Sequence, residues 1–399
     1  MPIENRSHAA AKKTKKRMKA INGIALMTTL LPLAAAAAGC MKIAPSQVQP
    51  SGDAEQSAIV FPSPIVNPAT KAGAASPGTA YPEDESFGVF GIWYRDGAFS
   101  GWNADGTVSY IDGVEFFFDK DIDDGTPGKG GWVSDPAYYW VPTGKMSFAA
   151  WSPFSVKEEY SQKYGTAAGD YFSYGATGLE IKEFSTGGTG KSGSTANCDL
   201  MWSERVCDKS SSQGANGSYD GIDLVFHHAL AALSFTSAES GTSTGESSGN
   251  EGLTTKIAIT KIVLWGFNRQ GTFSENISDP DNPTYKSSPR WSDLGTPYTR
   301  QDSLVVNSNG MTAYIIPQEI TSEAKMKVYY TVQLGDNPPL PVVSDPVSLA
   351  GNAISGTSDI LSEWKMGTRY NYSISVSGSI MIRFSVDIRQ WEEQSDITK

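Results

Sequence analysis

The last strand-like stretch of the chain sets the strongest limit on its fold. Ile380, Ile382, Phe384, Val386 and Ile388 alternate with Met381, Arg383, Ser385, Asp387 and Arg389. A period of two over nine residues puts the apolar side chains on one face of an extended strand and mainly polar ones on the other. A helix would scatter the same residues around its circumference. The stretch therefore reads as a half-buried β-strand, which needs a sheet with one face on a core and one in water.

Shorter β-branched and aromatic runs repeat the signal. They include Phe87 to Tyr94, Val108 to Ile111, Gly113 to Phe118, Lys145 to Trp151, Lys256 to Trp265, Met311 to Ile316, Met326 to Val332 and Tyr370 to Val376. Gly, Pro, Asp and Asn bound these runs, as they do the strands of a sandwich. Near Gly217 the pattern restarts, with Ile222 to Phe235 largely apolar. The expected fold is all-β, built as two tandem antiparallel β-sandwich domains over residues 83–217 and 218–399.

The first 82 residues read differently. Six basic residues between Lys12 and Lys19 precede the apolar segment from Ile21, which ends Ala37-Ala38-Gly39-Cys40. That order is a secretory signal over residues 1–39. Small residues running into a cysteine resemble a bacterial lipobox, whose thiol receives a diacylglyceryl group and becomes the first mature residue. Cys40 is the expected lipidation site. Residues 40–82 are rich in Ala, Ser, Pro and Gly and read as a tether. Within it Ser57 to Phe61 and Ile65-Val66 carry enough apolar character to add a short strand to a neighbouring sheet.

The formal charge of the full chain is −11. The leader holds seven basic residues and one acid, so its removal leaves about −17. Nucleic acid is a poor partner for such a chain. Cys198 and Cys207, nine positions apart, can pair in an oxidising compartment or remain two buried thiols. His227 and His228 are adjacent in a strand, so their rings point to opposite faces and do not bind one metal together. Asp119 to Asp124 places an aspartate where a calcium loop wants glycine, and reads as an acidic hairpin loop. No catalytic motif or triad can be singled out, and neither a metal nor a cofactor is expected. Trp93, Tyr94, Trp102, Trp132 and Trp140 are dense enough to raise glycan stacking, although such residues in a sandwich are mostly core.

Several segments in order resemble one family. Phe87-Gly-Val-Phe-Gly91 follows a stretch carrying Thr70-Lys71-Ala72. Tyr139-Trp140-x-Pro142 and Phe148-Ala149-Ala150-Trp151-x-Pro153 come next, then Phe226-x-His228-Ala229-Leu230 and Tyr314-Ile-Ile-Pro317-Gln318. Trp364-x-x-Gly367-Thr368-x-Tyr370-x-Tyr372-x-Ile374 and the final strand close the series. Together these resemble the fimbrillins, lipoprotein-derived subunits of the type V pili of Bacteroides-like bacteria. The resemblance implies transthyretin-like sandwiches, export to the outer membrane, and assembly with other fimbrial subunits by strand exchange.

It also implies proteolytic trimming after a basic residue near the first strand, for which Lys71 and Arg95 are the candidates. The C-terminal strand, through Ile380, Ile382, Phe384, Val386 and Ile388, is the candidate donor. A lipid-anchored surface protein that binds host or bacterial glycans or proteins without polymerising is the alternative.

Overall fold

The computed structural model describes residues 58–62, 64–66, 79–95, 97–122, 130–187, 198–210, 222–237, 255–284, 286–307, 312–377 and 381–390. The described chain is mostly strand. In order these are β1 (Ile65–Val66), β2 (Thr79–Ala80), β3 (Ser86–Tyr94), β4 (Thr107–Asp119), β5 (Gly131–Val133), β6 (Lys145–Ser152), β7 (Phe172–Gly175) and β8 (Gly178–Ser185). Then come β9 (Met201–Ser203), β10 (Val206–Lys209), β11 (Val225–His228), β12 (Ala231–Ser237), β13 (Thr255–Trp265), β14 (Asn268–Ser274), β15 (Arg290–Pro297) and β16 (Leu304–Asn307). The last are β17 (Thr312–Ile315), β18 (Gln318–Glu319), β19 (Lys325–Leu334), β20 (Leu340–Val343), β21 (Val347–Ser348), β22 (Glu363–Trp364), β23 (Thr368–Ser377) and β24 (Met381–Gln390). One α-helix, α1 (Ser155–Tyr164), precedes β7. None of the described helices is long and apolar enough to cross a membrane.

Four sheets carry the architecture. Sheet 1 runs β2-β1-β11-β9-β6-β3-β4-β5, with β10 also on β6; sheet 2 runs β15-β14-β8-β7. Sheet 3 runs β17-β12-β23-β24, and sheet 4 runs β16-β13-β19-β20 with β21 on β19. β11 lies beyond residue 217 yet pairs with β9, and β14 pairs with β8. Strands from both sides of that position therefore share sheets 1 and 2.

Alternation along the strands explains the layers. On β3, Phe87 and Val89 enter one core while Phe90, Ile92 and Tyr94 enter another. On β6, Met146, Phe148 and Ala150 face the first core, and Ala149 and Trp151 the second. Sheet 1 is thus buried on both faces at its centre, which is why these strands read as near-continuous apolar runs. Sheet 2 and α1 cover the second core through Phe172, Ile181, Phe184, Phe273 and Tyr160. Gly88 pairs with Trp151, and a Cβ on it would lie 2.0 Å from the indole. Only glycine lets the ring cross the strand there.

Sheets 3 and 4 share a third core. Leu233, Phe235, Tyr372 and Val386 meet Ile262, Leu264, Met326 and Val328 across it. β24 is the edge strand of sheet 3, antiparallel to β23 over a register from Thr368↔Gln390 to Ser377↔Met381.

Candidate assembly site

The first core of sheet 1 is closed by the segment before β3. Ile59, Phe61 and Val66 are buried to within 1% of full coverage. Ile59 N–H donates to the Tyr138 carbonyl at 2.8 Å, and Phe61 exchanges both backbone bonds with Trp132 at 3.1 Å. β1 then runs parallel to β11, through Ile65↔Val225 and Val66↔Phe226, and pairs on its other side with β2. The Phe61 ring meets Phe87, Phe116 and Phe148 edge-on, at centroid distances of 5.6, 4.9 and 5.9 Å. Such edge contacts add to the area the ring already buries. The stretch whose composition predicts a tether thus contains a plug, residues 58–66, in a wall of aromatic rings. The short strand expected at Ile65-Val66 is β1.

The two trimming candidates sit at opposite ends of this region. Arg95 is exposed and directly follows β3. β3 lies between β4 and β6, so its release would open the middle of sheet 1. Lys71 lies outside the described residues, in the connection between β1 and β2. The plug lies on the N-terminal side of that connection; its β1 is held between β2 and β11, and its buried residues Ile59, Phe61 and Val66 enter one core only.

The expected donor strand is docked in its own chain. Val386 is fully buried in the third core, Ile388 is half-buried against it, and Ser355 N–H donates to the Val386 carbonyl at 2.8 Å. Ile382 and Phe384 pair in the backbone with Val376 and Ile374. Ile380 lies outside the described residues, as do Cys40 and the leader.

The remaining candidates form no catalytic centre. Cys198 and Cys207 are free thiols, not the bridge that their spacing allows. The register on β6 supplies the reason. Met201 stands opposite Ser152 and Val206 opposite Phe148, four residues apart. At about 3.3 Å per residue that separates the flanking backbones by roughly 13 Å, beyond the reach of a disulfide. Burial pushes the Cys198 thiol far up, and pushes Cys207 up to about 11 despite its hydrogen bond with Ser147. Neither is an activated nucleophile.

The histidine rings do point to opposite faces. His228 is buried, with Nδ1 2.8 Å from Asp199 Oδ2; His227 stacks on Trp202 at 4.8 Å and holds Glu204 at 3.2 Å. That contact keeps the Glu204 carboxyl below its usual range. Among the described residues no three His, Cys, Asp or Glu side chains cluster to hold a metal. Of the aromatic candidates, Tyr94, Trp102, Trp132 and Trp140 are buried and only Trp93 is half-buried, so they form no surface platform.

Three features had little sequence signal: α1, the β14–β15 hairpin, and the depth of the plug. α1 buries only Val156 and Tyr160, an i, i+4 pair too sparse for a helical stripe. Gly271 interrupts β14, and the exposed side chains of β15 give it no alternation.

The fold and the filled first core define an all-β protein whose first sheet is completed by an N-terminal segment ahead of β3. The fimbrillin-like family profile matches residues 78–391. The chain belongs to the fimbrillin-like family. Among solved structures it is similar to a fimbrial protein from Bacteroides vulgatus, at 16% identity and a TM-score of 0.41, covering 83% of this chain and 99% of that one. It is also similar to a fimbrilin (fimA) from Porphyromonas gingivalis, at 11% identity and a TM-score of 0.32, covering 84% and 98%. The tip fimbrial protein Mfa3 from the same organism, with a C-terminal truncation, gives 11% identity and a TM-score of 0.32, covering 77% and 95%. No curated protein matches the chain.

Proposed function

We propose that this protein is a fimbrial subunit of the cell surface, exported on a lipid at Cys40 and assembled by strand exchange after its plug is cut away. The observation that carries this reading is the seating of Phe61: an N-terminal segment reached through a long connection fills an aromatic groove that another strand can fill instead. Lys71 is the trimming position the geometry favours over Arg95. β3 is apolar on both faces, and a replacement for it would need the same. The C-terminal strand is apolar on one face only, which matches the one-sided groove left by residues 58–66.

An edge strand is also the one that leaves with a single ladder broken. β24 gives up its pairing with β23 and the site of Val386. In a trimmed neighbour it regains a ladder and covers the exposed faces of Phe87, Phe116 and Phe148. Main-chain bonds then provide affinity and alternate side chains the register. Burying each apolar anchor contributes roughly 1.5–3 kcal/mol.

The test is to trim the purified chain with a Lys/Arg-specific protease and run it unboiled in SDS. Ladders are expected from the trimmed chain and not from one ending at Ser377. Ladders that persist without β24 would remove the C-terminal strand from the donor role. No ladders under any trimming would leave a surface lipoprotein that does not polymerise.

A further inference from the structure

The strands of sheet 4 carry four lysines, Lys256 and Lys261 on β13 and Lys325 and Lys327 on β19, and neither aspartate nor glutamate. The chain as a whole has a formal charge of −11, so this face runs against the composition. Ile259, Ile262, Leu264, Met326, Val328 and Tyr330 fill the third core. The residues between them lie on the opposite face, away from sheet 3. Register brings the charges together there: Lys261 stands opposite Tyr329, and Val263 opposite Lys327. The ammonium groups of Lys261 and Lys327 lie 4.1 and 6.0 Å from the centroid of the one Tyr329 ring.

Among the described residues no carboxylate pairs with these four lysines. Glu323 and Asp345 sit in connections outside the strands. The flanking strands β16 and β20 add Val305 and Val343, 47% and 46% exposed, and no charge. The result is a face of positive charge and short apolar side chains.

Spacing selects the occupant. Alternate residues lie about 7 Å apart along a strand and neighbouring strands about 5 Å apart. Lys325 and Lys327 on β19 therefore lead on to Lys261, the next outward position along on β13, in one staggered line, with Lys256 set apart beyond the bulge. Such a line suits an extended polymer with repeated negative groups better than a single anion, which needs an enclosing pocket. Lysine offers mobile point charges instead of the fixed fork of arginine, and tolerates irregular spacing along a polymer. Lysine is also depleted at protein–protein interfaces, which disfavours an acidic protein. The acidic remainder of the chain repels a polyanion and confines it to this one face.

We infer that the outer face of sheet 4 docks an acidic polysaccharide, with Lys261, Lys325 and Lys327 meeting its carboxylate or sulfate groups. This contact is independent of strand exchange, because sheet 4 contains neither the plug nor β24, and it is present in the untrimmed chain.

The probe is dextran sulfate immobilised on a surface, with neutral dextran of equal length as control and the untrimmed chain as analyte over a range of salt. Retention is expected on dextran sulfate alone, weakening steeply as salt rises. The K261A/K325A/K327A triple variant should bind tenfold or more weakly, and its slope of log affinity against log salt should be shallower by roughly two to three. The corresponding triple arginine variant should keep both. A melting temperature close to that of the parent shows that the alanine variant is folded; if it is not, the singles K261Q and K327Q should each weaken binding in the same direction. Equal retention of parent and folded variants, or no retention of the parent, overturns the inference. So does a salt-sensitive self-association, seen by sedimentation, that these lysines control without any polysaccharide binding, since the face would then belong to a second copy of the chain.

Discussion

Phe61 stands edge-on to Phe116, with ring centroids 4.9 Å apart and planes at 88°. The two residues are 55 positions apart in sequence, and Phe61 comes from a stretch that composition alone assigns to a tether. Because the ring is fully buried and also touches Phe87 and Phe148, Phe61→Ala leaves a cavity that the aromatic wall cannot easily close. A loss of about 3–5 kcal/mol is expected in urea unfolding. A loss under 1 kcal/mol would mean that residues 58–66 are not packed as described.

Gly88→Ala tests the crossing of Trp151 over β3. The added methyl would sit 2.0 Å from the indole, in a core that is filled on both sides of the strand. Overpacking of this kind costs about 1–3 kcal/mol, so the melting temperature should fall. An unchanged melting temperature would show that the indole has room to move.

Cys198 and Cys207 should titrate as two free, half-buried thiols. With Cys207 at about 11 and Cys198 held higher still, the thiolate fraction at pH 8 is on the order of one in a thousand or less. Neither should be alkylated in the folded protein, and both should react once it is unfolded. Mass spectrometry of the non-reduced chain checks this directly: a mass two hydrogens lower, with these two residues in one cross-linked peptide, contradicts the free-thiol structure.

Cys40→Ser addresses the anchor. The proposed export and lipid attachment rest on the basic run, the apolar segment and the small residues before Cys40. The variant should shift from the membrane fraction to the soluble one, or accumulate with its leader uncleaved. Processing and partitioning identical to the parent would rule out lipidation at this position.

What was legible in the sequence follows from physical locality. β3, β6, β13, β19, β23 and β24 stand where β-branched and aromatic runs predicted them, because a strand buried on one or both faces writes its burial into consecutive residues. The sequence predicts two runs, Val108 to Ile111 and Gly113 to Phe118, where the structure has one strand, β4, that passes through Gly113 at φ 65°. The plug was legible only as a few apolar residues among prolines. Its partners are Trp132 and Tyr138, more than seventy positions away, and β11, 160 positions away, and no periodicity encodes such pairings. The proposed preference for Lys71 over Arg95 was equally hidden. It depends on β3 being buried on both faces while the plug is buried on one, which becomes visible only when both cores of sheet 1 are seen.

The most direct measurement of the central claim is the N-terminal sequence of subunits recovered from SDS-resistant ladders. If residues 58–66 are the segment removed and β3 stays in place, the subunits begin at Ala72. Subunits that begin at Asp96 would show that β3 itself is the strand replaced, and subunits that retain residues 58–66 would show that the plug is never exchanged.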